Sequence, residues 1–258
     1  MSLTRRAAYA VFATVWGLGW LPFLRGNIAF TDTLAALAAA GLAVQVVRTI
    51  PWSARLELPR PTLIGALLLA GFGLVIDRTL PVAVALVLLV GRTVADSRRA
   101  DELRLLALLS LPWLATDGAM LALAFRHSAA WAAGTAFQFL GYAITRDGTT
   151  LDIEGQPLSV AAACAGIDTL HATLVAGAWL AGALRGRGRF WLAVAALPLL
   201  AWLANTLRII TLGGVALKWG ADAAMGWFHN WGGISVIVVM FALAGSWVAL
   251  LHRMERVK

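Results

Sequence analysis

Three residues whose types together make a nucleophilic centre are spread along the last hundred positions of this chain: Cys164, Arg208 and His229. Cys164 is the single cysteine among 258 residues, so an intramolecular disulfide is excluded and the thiol needs another account. A thiol attacks as its thiolate, and a nearby guanidinium, imidazole or helix N-terminus favours that anion. Cys164 stands in Ala163-Cys164-Ala165-Gly166-Ile167, where a polar strand-and-turn segment, Arg146 to Val160, runs into an apolar helix. Asp168 and His171 follow at i+4 and i+7 and share its helical stripe. His171 would lie two turns deeper, about 10 Å, beyond the ~3 Å of direct proton transfer. Asp168 is expected to pair with Arg208 or His171, because an unpaired carboxylate in a membrane is costly. Each residue also has a plainer account. A lone cysteine packs as a small hydrophobe, an arginine at a helix end snorkels to headgroups, a histidine between Trp227 and Trp231 joins an aromatic belt, and His171 glues helices together.

The elements that must position these groups follow from composition. Apolar residues make up 60% of the chain and charged residues 13%, with a mean hydropathy of +0.80. That balance belongs to an integral membrane protein, not to a soluble domain. The net charge of +8 comes from arginines in short loops between apolar runs, which is cytoplasmic-loop bias and not a nucleic-acid surface. No linker or internal repeat divides the chain, so 1–258 reads as one membrane domain, with N-terminal spans in 1–125 and the candidate catalytic half in 126–258.

The expected fold is an all-α, polytopic transmembrane bundle of about eight spans: Ala7–Leu24, Ile28–Val47, Thr62–Ile76, Leu80–Ala95, Leu105–Phe125, Ala161–Leu184, Phe190–Leu217 and Ile234–Leu251. The stretch Ala129 to Ile144, flanked by arginines, is expected to lie in the interface. With both termini cytoplasmic, the inner segments hold 15 of the 21 Lys and Arg residues and the outer segments 6. Arg146–Val160 then forms a short extracytoplasmic segment before the helix of Cys164. Arg208, about 27 Å along its span, and His229, in the outer loop, meet Cys164 at one membrane face.

No G-x-S-x-G, H-E-x-x-H, phosphate-binding glycine loop or paired metal-ligand spacing is present. No cofactor and no metal is therefore expected. Two other function classes compete with an enzyme. A transporter could use Asp117, Asp168 and Arg208 as a midplane ion path, and a non-catalytic scaffold would simply pack Cys164.

The run from Asp147 through Leu170, with Asn205-Thr206-Leu207-Arg208-Ile209, and then His229 before Gly232-Gly233, resembles the exosortase/archaeosortase family of membrane transpeptidases. The resemblance covers about the last 110 residues. It implies an enzyme of the cytoplasmic membrane that cleaves C-terminal sorting signals of exported proteins, made of a short motif, a transmembrane helix and a basic tail. The cleaved protein then passes to an acceptor nucleophile. On that pattern Cys164 forms a thioester, His229 acts as general acid and base, and Arg208 stabilises an oxyanion or the thiolate; Asn205, Asp168 and His171 are supporting candidates. The chain departs from many members at Ala162, where they carry Glu, at Ala165, where they carry Ser, and at Asp168, where they carry Arg.

Overall fold

The computed structural model describes residues 2–25, 30–49, 55–93, 98–159, 167–224, 226 and 229–256. Among the described residues the elements are helices and five short strands. In order the elements are β1 (Ser2–Thr4), α1 (Arg5–Leu18), α2 (Leu21–Leu24), α3 (Phe30–Thr49), β2 (Arg55–Glu57), α4 (Arg60–Val75), α5 (Thr79–Thr93), α6 (Arg98–Leu109), α7 (Trp113–Asp117) and α8 (Ala119–Phe139). After them come β3 (Ile144–Asp147), β4 (Thr150–Ile153), β5 (Gln156–Ser159), α9 (Ile167–Ala181), α10 (Arg187–Trp219), α11 (Ala221–Ala223) and α12 (His229–Arg256). Two helices among the described residues are long and apolar enough to cross a bilayer, Arg187–Trp219 and the Val238–Arg256 part of α12; five further apolar helices are shorter. The expected count of eight spans is therefore met in number of apolar helices only in part.

Charge sorts to the two ends of the bundle. At the basal end, Asp101 of α6 is 2% exposed and accepts hydrogen bonds from Arg104, Arg187 and the Trp191 indole. Its neighbour Glu102 takes Arg98 at 2.7 Å and Arg99 at 2.8 Å. Glu255, in the polar tail past Leu251, accepts the backbone N–H groups of Arg185 and Gly186 at 3.1 and 2.8 Å. Those two bonds hold its carboxyl below the usual carboxylate range, and the Arg189 guanidinium acts in the same direction. The antiparallel ladder β1–β2 also lies at this end, against α5. At the distal end, Arg25 pairs with Asp77 at 3.0 Å, and Arg78 donates to the Thr116 carbonyl at 2.7 Å.

The expected fifth span, Leu105–Phe125, is not one helix. Pro112 offers no N–H and clashes with the preceding turn, so α6 stops at Leu109. Gly118 separates α7 from α8 at a point where a Cβ would sit 2.1 Å from the Leu114 carbonyl oxygen, an approach only glycine permits. The carbonyls freed by the break do not go unused: Leu109 O is met by His171, Ser110 O by the Trp16 indole and Thr116 O by Arg78. The stretch Ala129–Ile144 is not a separate element: residues 129–139 are the second half of α8, which also contains the 125/126 boundary. The run from α6 to α8 climbs beside α10 in one direction, with Asp101 against Arg187, Ser128 against Trp202, and Phe137 against Gly213.

The polar segment folds as a three-stranded antiparallel meander, β3–β4–β5. The β4–β5 turn is Glu154-Gly155, both with positive φ, as a two-residue hairpin turn of the primed type demands. Alternate residues of β4, Leu151 and Ile153, are buried against α8 and against Ile209 of α10. A larger core joins α1, α3, α4, α5 and α6 and includes Val175 and Ala178 of α9, so α9 packs against both halves of the chain.

Candidate active site

Cys164 lies outside the described residues, and so do the side chains of Asp168 and His229; the backbone of each of these two begins a helix, α9 and α12 respectively. What the structure fixes is the frame around them. α9 and α12 both descend toward the basal end while α10 ascends between them. Ala201 and Ala204 of α10 pack on Ile167 and Leu170 of α9 and on Met240 of α12. Thr173 of α9 donates its hydroxyl hydrogen to the Met240 sulfur at 3.0 Å, which fixes the relative height of the two descending helices.

Arg208 continues the Ala201–Ala204 stripe by one turn, since positions i, i+3 and i+7 share a helix face. It therefore stands just distal to the layer in which α10 touches Ile167, on the side of α9's first turn. At 1.5 Å per residue it is about 31 Å from Arg187, close to the full thickness of a bilayer's hydrocarbon core. The side chain is half-buried, and its Nε is sealed from solvent with no hydrogen-bond partner among the described residues. No described carboxylate pairs with it. A guanidinium whose Nε is shut off from water and has no described partner is disposed to accept an anion. Asn205, one turn below on the same helix, is 1% exposed.

His171 is fully buried. Nε2 lies 2.9 Å from the Leu109 carbonyl; a carbonyl only accepts, so Nε2 carries the proton. Its described role is to tie α9 to the end of α6. Asp117, one of the three charges in the transporter reading, is also accounted for. Its Oδ2 accepts the N–H groups of Thr79 and Leu80, both at 3.0 Å, and the Thr116 hydroxyl at 2.6 Å. From the end of α7 it caps the N-terminus of α5.

Sequence reasoning missed the wall behind Arg208. The next residue, Ile209, is buried beneath Leu151 and Ile153 of β4 and beside Phe137 of α8. A Cβ on Gly213 would come within 2.7 Å of the Phe137 ring and 3.2 Å of Ile153, so the sheet and α8 press directly on the distal part of α10. The signal was present in the alternation Leu151-Asp152-Ile153, which marks a strand with one buried face. Also missed was the buried Asp101, legible only as an Asp-x-x-Arg pair at i, i+3.

Comparison with known proteins extends the resemblance of the C-terminal part to nearly the whole sequence. Searches of curated proteins and of solved structures found no match. The profile of the transmembrane exosortases matches residues 4–246, taking in the N-terminal apolar helices, the β3–β5 meander, the α9 segment, the α10 stripe with Arg208 and most of α12. With that match over nearly the whole sequence, this chain belongs to the transmembrane exosortase family.

Proposed function

We propose that this membrane protein is a cysteine transpeptidase that cleaves C-terminal sorting signals of exported proteins. The observation that carries the proposal is Arg208, a half-buried guanidinium with no described partner, facing the side of the bundle where α9 begins. Cys164 is three peptide units from Ile167 and so within about 11 Å of it. The Cys164 thiolate attacks the scissile carbonyl carbon, and the developing oxyanion is held by Arg208. The C–N bond then breaks as His229 delivers a proton to the leaving amine, and the exported protein remains as a thioester on Cys164. The amine or hydroxyl of the acceptor attacks that thioester, and His229 takes its proton and returns it to the thiol. Asp168 sits in the site's first helical turn, and Asn205 supports the α10 face that carries Arg208.

The site faces outward from the cytoplasmic membrane, with both termini inside. Support for this orientation is the 15 to 6 division of basic residues, together with the gathering of Arg98, Arg104, Arg187 and Arg189 at the basal end. The transporter alternative loses support because Asp117 is a helix cap. The test is processing of an exported protein bearing a motif, an apolar helix and a basic tail. Cys164→Ala abolishes it while the protein still accumulates in the membrane. Full processing by Cys164→Ala would sink the proposal.

A further inference from the structure

A groove of about 630 Å³ lies in the N-terminal half, away from the candidate active site. Its walls are α1, with Phe12 and Trp16, and α3, with Val44 and Val47; α5 and α6 form its floor, with Leu86 at the centre. The groove is open to the surroundings of the bundle and its lining is almost wholly apolar. The α3 wall runs from Ala40 to Arg48, about 12 Å. A lining of this kind takes hydrocarbon, from an acyl chain or from an apolar segment.

Charge selects further. Arg48, in the last turn of α3, closes the basal end of the groove. It is exposed, and no described residue bonds to it. Tyr9 stands across the same end. A cation at the end of an apolar slot, level with the charged layer at the base of the bundle, matches a phosphate joined to acyl chains. We propose that this groove holds a phospholipid, with its acyl chains between α1 and α3 and its phosphate on Arg48. The lipid fills the gap between α1 and α3 and is a resident of the leaflet at the basal end. The inference is independent of the chemistry proposed for the distal end.

The test uses the full-length protein in a mild detergent, stripped of lipid and titrated with phosphatidylglycerol or with diacylglycerol of the same chains, read by native mass spectrometry. One phosphatidylglycerol is expected to be retained, with diacylglycerol weaker by about tenfold. Arg48→Glu weakens phosphatidylglycerol by about tenfold or more and leaves diacylglycerol unchanged. Ala13→Phe, which fills the groove from the α1 wall, displaces both. Equal retention of the two lipids, or undiminished phosphatidylglycerol on Arg48→Glu, overturns the headgroup contact. Lipid retained by Ala13→Phe overturns the groove as its place. Arg48 is exposed, so its substitution leaves the fold intact and decides the matter if Ala13→Phe does not fold.

Discussion

Replacing Asp117 separates a structural charge from a functional one. In the structure one carboxylate oxygen receives two N–H groups at the start of α5, each at 3.0 Å, and the Asp117 side chain is 11% exposed. Thr79, the first of these donors, is fully buried, so water does not replace the lost acceptor in Asp117→Ala. A helix cap contributes about 1 kcal/mol and up to about 2. Stranding a buried donor adds about 1 kcal/mol or more, whereas the Arg78 contact at 3.9 Å, half-exposed, adds little. Asp117→Ala should thus cost about 2–3 kcal/mol, and Asp117→Asn, which keeps one acceptor oxygen, about 1. For a chain of this length that is a fall in Tm of roughly 5–10 °C for the alanine variant. Thermal unfolding in detergent measures it, alongside sorting-signal processing in cells grown well below the new midpoint. Processing should survive in both variants. An alanine variant as stable as the parent but inactive would refute the cap and make Asp117 part of the function.

Arg208→Ala should lower processing by about 10²–10³, the cost of losing one oxyanion donor, and Arg208→Lys should recover little of it because an ammonium lacks the planar fork; a lysine variant near full activity in the same assay would reduce Arg208 to a generic charge. Gly213→Ala should destabilise by about 1–3 kcal/mol, since its Cβ meets the buried Phe137 ring at 2.7 Å, while Gly214→Ala, which has nothing within 4 Å, should be neutral in the same thermal unfolding. Glu255 titrates below its unfolded value, so its contribution is present above about pH 4.5 and is lost as pH falls through the folded value; Glu255→Gln should flatten the acid limb of a stability-against-pH curve and leave its alkaline limb unchanged. A cysteine placed at Gly188, in a Cys164→Ala background, should resist an impermeant thiol reagent applied from outside intact cells, and rapid labelling there would invert the proposed orientation.

Sequence pattern carried the all-α class and the apolar helices, because an apolar run between arginines admits few other solutions in a bilayer. It failed at residues 105–144, where a window of hydropathy averages over Pro112 and Gly118 and cannot see a helix end. His171 shows a second limit: spacing put it on the Cys164 stripe, and its described hydrogen-bond acceptor, the Leu109 carbonyl, exists only because α6 stops there. Backbone acceptors made by a break have no letter in the sequence. Arg208 was legible by type and depth; its lack of a described partner was not, since that depends on which faces of α8, α9 and α12 surround it.

The break between α6 and α8 also decides what can move. A continuous helix would spend its carbonyls on itself and meet its neighbours only through apolar side chains, which slide. Here three carbonyls and one carboxylate at the interruption grip Trp16 of α1, His171 of α9, Arg78 of the α4–α5 turn and the first turn of α5. The His171 and Thr79 members of this set are fully buried, so their bonds cannot be exchanged for a solvent contact. The interruption is thus a clamp, not a hinge: α9 cannot tilt or piston without pulling α6 against α1, and the floor under the candidate site is as stiff as the half of the molecule farthest from it.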